Sequence, residues 1–368
     1  MAVPVTGAAR PGAVPAPVPP PLPSLGIATP AALAARYAAT RDAVRAAGRV
    51  AAAHGDVWRA AMLRAMADPA RHFLSFDGRD GGRVAEVFGD LSRAERIAVV
   101  VPGSDTSLDK YGLLRGGSMR LHQRLGDRAA VVAWLGYRTP NTVSLAALTS
   151  ARADEASPAL GAFVRDLGAS RPGVPISLLC HSYGSVVCAR AASGPDVTAN
   201  TTRPDDTRHT PGTASPGNTG KPWNTAATGT GDTHDAVDRT DSAGDRDIAD
   251  IAPVVNIVLY GSAGVTVRDA AALRTRASVW AGRSTGDWIG SVPHVRIRLP
   301  FADVGFGADP VSPAFGARVF TAGDGGHSDY LRPGPALENI ARIVSGPLPT
   351  DWILPGRSTN RTSRREEP

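Results

Sequence analysis

Five short, uninterrupted apolar runs constrain this chain more than any other feature: RIAVVVPG (Arg96–Gly103), AAVVAWLGY (Ala129–Tyr137), VPISLLC (Val174–Cys180), PVVNIVLYG (Pro253–Gly261) and ASVWAG (Ala277–Gly282). A strand with one wet face alternates apolar and polar residues, whereas a strand covered on both faces does not. Most of these runs alternate with stretches of helical spacing. That rhythm predicts an α/β domain, with a mostly parallel central sheet and helices on both faces. Just upstream, RHFLSFDGRDGGRVAEVFGDL carries two β-prone runs around Asp77-Gly78 and Asp80-Gly81-Gly82. This is a hairpin signal, and it supplies an antiparallel edge to the sheet.

Composition divides the rest of the chain. Residues 1–28 are rich in Pro and Ala and are expected to be a disordered or polyproline-like tail. Residues 29–69 are alanine-rich with helical spacing, expected as one or two helices with a break near Ala53-His54-Gly55. Residues 70–347 are expected to form the α/β domain, and 348–368 a flexible C-terminal tail. Within the domain, residues 193–250 are dominated by Thr, Gly, Asp, Pro and Ser. Such a segment cannot bury enough apolar surface to offset its ordering entropy, so a disordered insertion is expected there. His209 and His234 fall inside it and are assigned no metal role.

Several function classes are disfavoured. The net charge of +6 is carried almost entirely by scattered arginines, and aromatic residues make up only 5%. A nucleic-acid surface would need a basic stripe or a stacking platform, so no nucleic-acid partner is expected. No apolar run reaches membrane-spanning length. The N-terminus lacks the basic start and unbroken apolar core of a secretory leader, and a cytoplasmic location is expected. The two cysteines, Cys180 and Cys188, are read as small core residues. One ends a strand and the other lies two turns into the following helix, a separation too long for a bridge along a helix axis.

The third run ends in an unusual corner. In LLCHSYGSVVCARAA (Leu178–Ala192) a strand stops at His-Ser-Tyr-Gly and gives way to helix-forming residues. A serine between a strand and a helix, with small residues two positions to either side, has the pattern of a nucleophile elbow. Gly184 fills one small position and Cys180 the other, where glycine is usual. The competing reading is a serine that merely caps a helix. A nucleophilic serine needs a base, and the base an orienting acid, in the chain order Ser, acid, His for this arrangement. Asp287 follows the fifth run, and His327 lies in the Gly-rich loop TAGDGGHSDY before a final helix. Ser182, Asp287 and His327 are therefore the candidate triad, with Asp303, Asp309 and Asp329 as rival acids. His294 lies too close to Asp287 and should enter the next strand. His181 is expected to point away from the site and to pack.

An oxyanion hole needs two backbone N–H donors. One should belong to Tyr183, directly after the nucleophile. The other should come from PGSDTSLD, after the first parallel strand, with Ser104 as donor and Asp105 as the alternative.

These segments resemble those of the α/β-hydrolase superfamily, and within it alpha/beta hydrolase family 8, a largely actinobacterial group once catalogued as domain of unknown function 1023. VVVPGSDTSLD, WLGYRTP, CHSYGSVV, VLYGSAGV and GHSDY carry the likeness, over about residues 70–345. The resemblance implies the α/β-hydrolase fold. The family normally has glycine where Cys180 stands and lacks so long an insertion; neither departure touches the candidate triad. Its substrates are largely undefined, so the resemblance implies machinery and no particular ligand.

Two functions from different classes follow. One is a serine hydrolase acting on an ester, thioester or amide of a small acyl substrate, with no cofactor and no metal. The other is a catalytically weak scaffold that recruits a protein partner through its N-terminal helices. The segment Arg138–Phe163 is expected to roof the pocket in the first case.

Overall fold

The computed structural model describes residues 15–142, 144, 149–193, 254–294, 297–299, 302–305 and 307–347. The insertion expected over 193–250, apart from its first residue, lies outside the described residues, as do the first fourteen residues and the expected tail over 348–368.

Six helices are described: α1 (Pro30–Ala53), α2 (Val57–Met66), α3 (Gly112–Leu125), α4 (Ala151–Ser170), α5 (Gly184–Ser193) and α6 (Pro335–Ser345). α1 begins where Thr29 accepts a hydrogen bond from the Ala32 N–H at 3.2 Å and Pro30 occupies the first turn, a position that has no intrahelical use for an N–H. The break expected near Gly55 is real. Gly55 sits at φ +88° and Asp56 caps α2 by accepting from the Arg59 N–H at 2.8 Å.

Strands β1 (His72–Asp77), β2 (Arg83–Phe88), β3 (Arg96–Val101), β4 (Ala129–Leu135), β5 (Ile176–His181), β6 (Val254–Tyr260), β7 (Ser278–Gly282) and β10 (Arg318–Val319) form one sheet in the order β1-β2-β4-β3-β5-β6-β7-β10. β1 and β2 are antiparallel, as are β2 and β4; every other pairing is parallel. The five continuous apolar runs became β3 to β7, and the hairpin the antiparallel edge. β8 (Ile297–Leu299) and β9 (Ala302–Val304) make a separate small hairpin that the apolar pattern did not signal.

Strand alternation divides the core in two. Ile97, Val99 and Val101 join α4 and α5 on one face, whereas Ala98 and Val100 join α3 and α6 on the other. α1 contributes Leu33 and Tyr37 to the first cluster and Val44, Ala47 and Ala51 to the second. It therefore passes across edge strand β1, protecting it from pairing with another chain. Part of the expected N-terminal tail is also ordered packing. Leu25 and Ala28 are buried, and the Leu25 N–H reaches the Asp166 carboxylate at 3.1 Å. Of the segment Arg138–Phe163, expected as a roof, Thr142 lines the cavity over Ser182, residues 143 and 145–148 lie outside the described residues, and residues 151–163 are the start of α4, which packs on the sheet through Ala153, Ala156 and Leu160.

Candidate active site

β5 ends at His181, and the backbone reverses at Ser182, which has φ +52°, a left-handed conformation that costs a non-glycine residue energy. The corner is held from both sides. The Ser182 N–H donates to the Tyr260 carbonyl at 2.9 Å, and the Ser182 carbonyl accepts from the Ser185 N–H at 2.9 Å. There is no room for larger neighbours. A Cβ on Gly103 would lie 2.5 Å from Ser182 Cβ, and one on Gly184 would lie 2.7 Å from the carbonyl oxygens of Val101 and Pro102.

Three side chains from separate stretches meet at this corner. Asp287 follows β7 and caps a short 3-10 turn, accepting from the Ile289 N–H at 2.9 Å. His327 comes from the loop before α6. Its Nδ1 lies 2.9 and 3.0 Å from the two Asp287 oxygens, and its Nε2 lies 3.0 Å from Ser182 Oγ. A carboxylate can only accept, so Nδ1 carries the proton and Nε2 presents its lone pair to the serine hydroxyl. Burial pushes the Asp287 carboxyl up. Hydrogen bonds from His327, Tyr330 and the Ile289 N–H outweigh that and hold it below the ordinary carboxylate range.

The rival acids have other partners. Asp309 pairs with Arg283 at 2.9 Å and faces His294 at 3.3 Å. Asp329 accepts from the Gly326 N–H at 2.9 Å and pairs with Arg332, which shapes the turn that carries His327. Asp303 lies on β9. Of the two candidate donors after β3, the Asp105 N–H is occupied by the Pro140 carbonyl at 2.9 Å, whereas Ser104 lines the cavity beside Ser182. The Tyr183 phenol turns away from the cavity to the start of α4. It donates to the Thr149 carbonyl at 2.8 Å and accepts from the Ala153 N–H at 3.1 Å.

Two expectations need correction. His181 does not turn away. Its Nε2 lies 2.8 Å from the His327 carbonyl, so that nitrogen carries a proton, and its ring lies 4.8 Å from the His327 ring. Burial and the neighbouring His327 lower its pKa to about 4, keeping it neutral. His181 falls on the face shared with Tyr260, where the loop carrying His327 and Tyr330 lands. Cys180 and Cys188, expected as separate thiols, form a disulfide with Cα atoms 6.4 Å apart. The distance along one helix axis was the wrong measure. The elbow folds α5 back over β5, so that position 188 faces position 180.

Tyr330 is a residue the sequence did not single out. Its hydroxyl donates to Asp287 at 2.6 Å and accepts from the Ser284 N–H at 3.1 Å. Gly261, at φ +58°, makes this crowding possible. A Cβ there would lie 2.9 Å from Tyr330, 3.2 Å from Asp287 and 3.3 Å from His181. The motif VLYGSAGV thus carries at its fourth position a glycine that the site requires.

A cavity of about 540 Å³ opens over Ser182 and His327, between the loop after β3, α3 and residues 328–331. Leu113 on its wall and Trp288, whose ring lies 5.0 Å from His327, are both largely exposed.

The strand order and the strained serine corner define an α/β-hydrolase fold. A protein-family model described as alpha/beta hydrolase, that of alpha/beta hydrolase family 8, matches residues 77–202 and 243–297. Ser182 and Asp287 lie inside the match and His327 beyond it. Uncharacterized proteins of Mycobacterium tuberculosis and Mycobacterium bovis are each 29% identical over 160 residues, 38% of this chain. The match spans 60% of the length of these relatives. Among solved structures, a serine hydrolase without a lid from Xanthomonas campestris has 13% identity and a TM-score of 0.38, with 75% of this chain and 92% of that chain covered. The esterase LipW from Mycobacterium marinum has the same identity and TM-score, with 86% and 90% covered. No helix among the described residues is long and apolar enough to cross a membrane.

Proposed function

We propose that this protein is a serine hydrolase that cleaves an ester, thioester or amide bond through an acyl-enzyme. One observation carries the reading: Asp287, His327 and Ser182 are joined by hydrogen bonds in a line that ends at a hydroxyl on a strained corner facing a cavity. Ser182 Oγ attacks the carbonyl carbon and its proton passes to His327 Nε2. Asp287 holds Nδ1 and stabilises the imidazolium that forms. The Tyr183 and Ser104 amides receive the oxyanion. His327 returns the proton to the leaving group, and the C–O, C–S or C–N bond breaks. Water, deprotonated by the same imidazole, then releases the acid and restores the serine. Another nucleophile in place of water would turn the same intermediate into a transfer reaction.

A fluorophosphonate probe on the purified protein tests the assignment. Wild type should label at Ser182 and hydrolyse p-nitrophenyl esters, and Ser182→Ala should do neither while keeping its melting temperature. Equal turnover by that variant would remove Ser182 from the mechanism. Absence of labelling in wild type would instead favour the scaffold reading.

The cytoplasmic location expected from the N-terminal sequence and the Cys180–Cys188 disulfide pull in opposite directions, because cytosolic thiol systems keep most cysteines reduced. Acid quenching of intact cells followed by alkylation under denaturing conditions, which exposes the two buried cysteines, decides between them. Blocked thiols at both positions indicate the cytoplasm, and a protected pair an oxidising compartment.

A further inference from the structure

We propose that the site selects esters that carry a free carboxylate in addition to the scissile bond, and that Arg120, assisted by Lys110, binds that carboxylate. The proposal rests on the serine-hydrolase reading above. Its basis is the charge left unmatched on the cavity wall.

Four charged side chains besides the triad line the cavity: Asp105, Asp109, Lys110 and Arg120. Among the described residues, one of the two carboxylates is paired with a cation and the other is held by neutral donors. Asp109 is paired with Arg59 of α2 at 2.6 Å, and Asp105 accepts from the Thr142 N–H at 3.2 Å and from the Thr142 hydroxyl. The two cations have no carboxylate partner among the described residues. Among the described residues the Arg120 side chain makes one hydrogen bond, from Nε to the Leu331 carbonyl at 2.6 Å. That bond anchors the guanidinium without neutralising it. Two uncompensated cations against the single uncompensated carboxylate of Asp105 leave the wall net positive, which favours a substrate anion.

Placement adds to the argument. Leu113, Leu114, Gly117 and Arg120 line the cavity from α3 at spacings of one, four and seven residues, which is a single helix face. The apolar residues on that face precede the arginine, so an acyl or alkyl segment would run along them towards the charge. One turn before Arg120 stands Gly116, where a Cβ would lie 3.3 Å from Arg120 Nη1, so the absence of a side chain there lets the guanidinium lie close against the helix. Arg120 is itself half-buried. A carboxylate meeting a planar guanidinium there forms paired, charge-assisted hydrogen bonds, stronger than the same contact in open water.

The test compares charged and neutral esters of matched length. One pair is mono-4-nitrophenyl suberate and 4-nitrophenyl octanoate, whose chain is long enough to keep the carboxylate from attacking its own ester. The second pair, 4-carboxyphenyl octanoate and phenyl octanoate, puts the charge on the leaving group. The readout is the ratio of kcat/KM, charged over neutral, in wild type, Arg120→Gln and Lys110→Glu. The neutral ester absorbs any general damage done by a substitution. In at least one pair the ratio should fall about tenfold or more in Arg120→Gln, as expected for one lost charge-assisted contact. It should also fall in Lys110→Glu, whose exposed position makes misfolding a negligible concern. Ratios that stay constant in both pairs across folded variants would overturn the proposal. If wild type hydrolyses neither member of a pair and takes up no fluorophosphonate, the serine-hydrolase reading itself fails.

Discussion

Asp287 and Glu86 are both buried carboxylates, and their surroundings could hardly differ more. Glu86 on β2 is 1% exposed and is gripped by Arg71 through two hydrogen bonds of 2.7 and 2.8 Å, with Arg115 at 3.5 Å. Two permanent cations surround one anion. Asp287 is 6% exposed and has no arginine among its hydrogen-bond partners; it is held by a tyrosine hydroxyl, a backbone N–H and an imidazole. Neutral donors keep it ionised while its charge remains available to a ring that can gain and lose a proton. Full neutralisation makes a structural joint, whereas partial neutralisation leaves a charge that can act on a neighbour.

The comparison breaks most sharply at Asp287. Asp287→Asn should lower kcat by roughly three to four orders of magnitude, because the amide no longer selects the Nδ1–H tautomer nor stabilises the imidazolium. Steady-state kinetics on p-nitrophenyl butyrate reads this directly. Asp329→Asn, which loses only a turn contact, should stay within a fewfold of wild type. The reverse ranking would move the acid to Asp329. The corresponding change at Glu86 should act on stability instead. Glu86→Ala leaves the half-buried Arg71 without its counter-ion and should cost about 2–3 kcal/mol in urea unfolding, with kcat per folded molecule unchanged. A matching loss of kcat would show that the two regions are coupled.

Tyr330→Phe sharpens the contrast from within the site. It removes one of the neutral donors to Asp287 and leaves the Ser284 N–H without its acceptor. A drop in kcat of about tenfold with little change in KM is expected for one such hydrogen bond. A rise in KM alone would mean that Tyr330 contacts substrate instead of orienting the acid.

Local signals explain what the sequence disclosed and what it hid. β3 to β7 were readable because strands covered on both faces are continuously apolar, and that pattern needs no knowledge of their partners. The Ser182 corner was readable because its constraints, small residues at fixed offsets, are also local. The choice among Asp287, Asp309 and Asp329 was less so. All three lie in loops, and what separates them is which neighbour the folded chain delivers: His327, Arg283 or Arg332. Tyr330 and His181 were hidden for the same reason, since each acquires its partner across more than forty residues. The disulfide was missed because sequence separation was converted to distance along an axis, although the elbow reverses the chain.

His181 provides the smallest and most diagnostic effect. Its neighbours are His327, Tyr260 and Tyr330, with the Asp287 charge close by. Burial and His327 lower its pKa to about 4, below the ordinary histidine value of 6.5. As pH falls through 6.5 the unfolded chain takes up a proton at this position, while the native protein resists until about pH 4. The unfolded state then binds more protons, so native stability declines across that window. One edge of the ring meets the cavity, so the decline from this residue should be roughly 1–2 kcal/mol. In His181→Phe the tilted ring packing is kept, but the proton-binding site and the Nε2–H donor to the His327 carbonyl are lost. The variant should be less stable than wild type at pH 7, and the gap should narrow or reverse towards pH 4. Its kcat should fall about fivefold with KM unchanged, since the loop that carries His327 loses one hydrogen bond. Urea titrations of both proteins at four or five pH values, with kcat measured alongside, test this directly. A stability gap that stays constant from pH 7 to pH 4 would show that His181 is not held neutral by its burial. An unchanged kcat would reduce it to a packing residue.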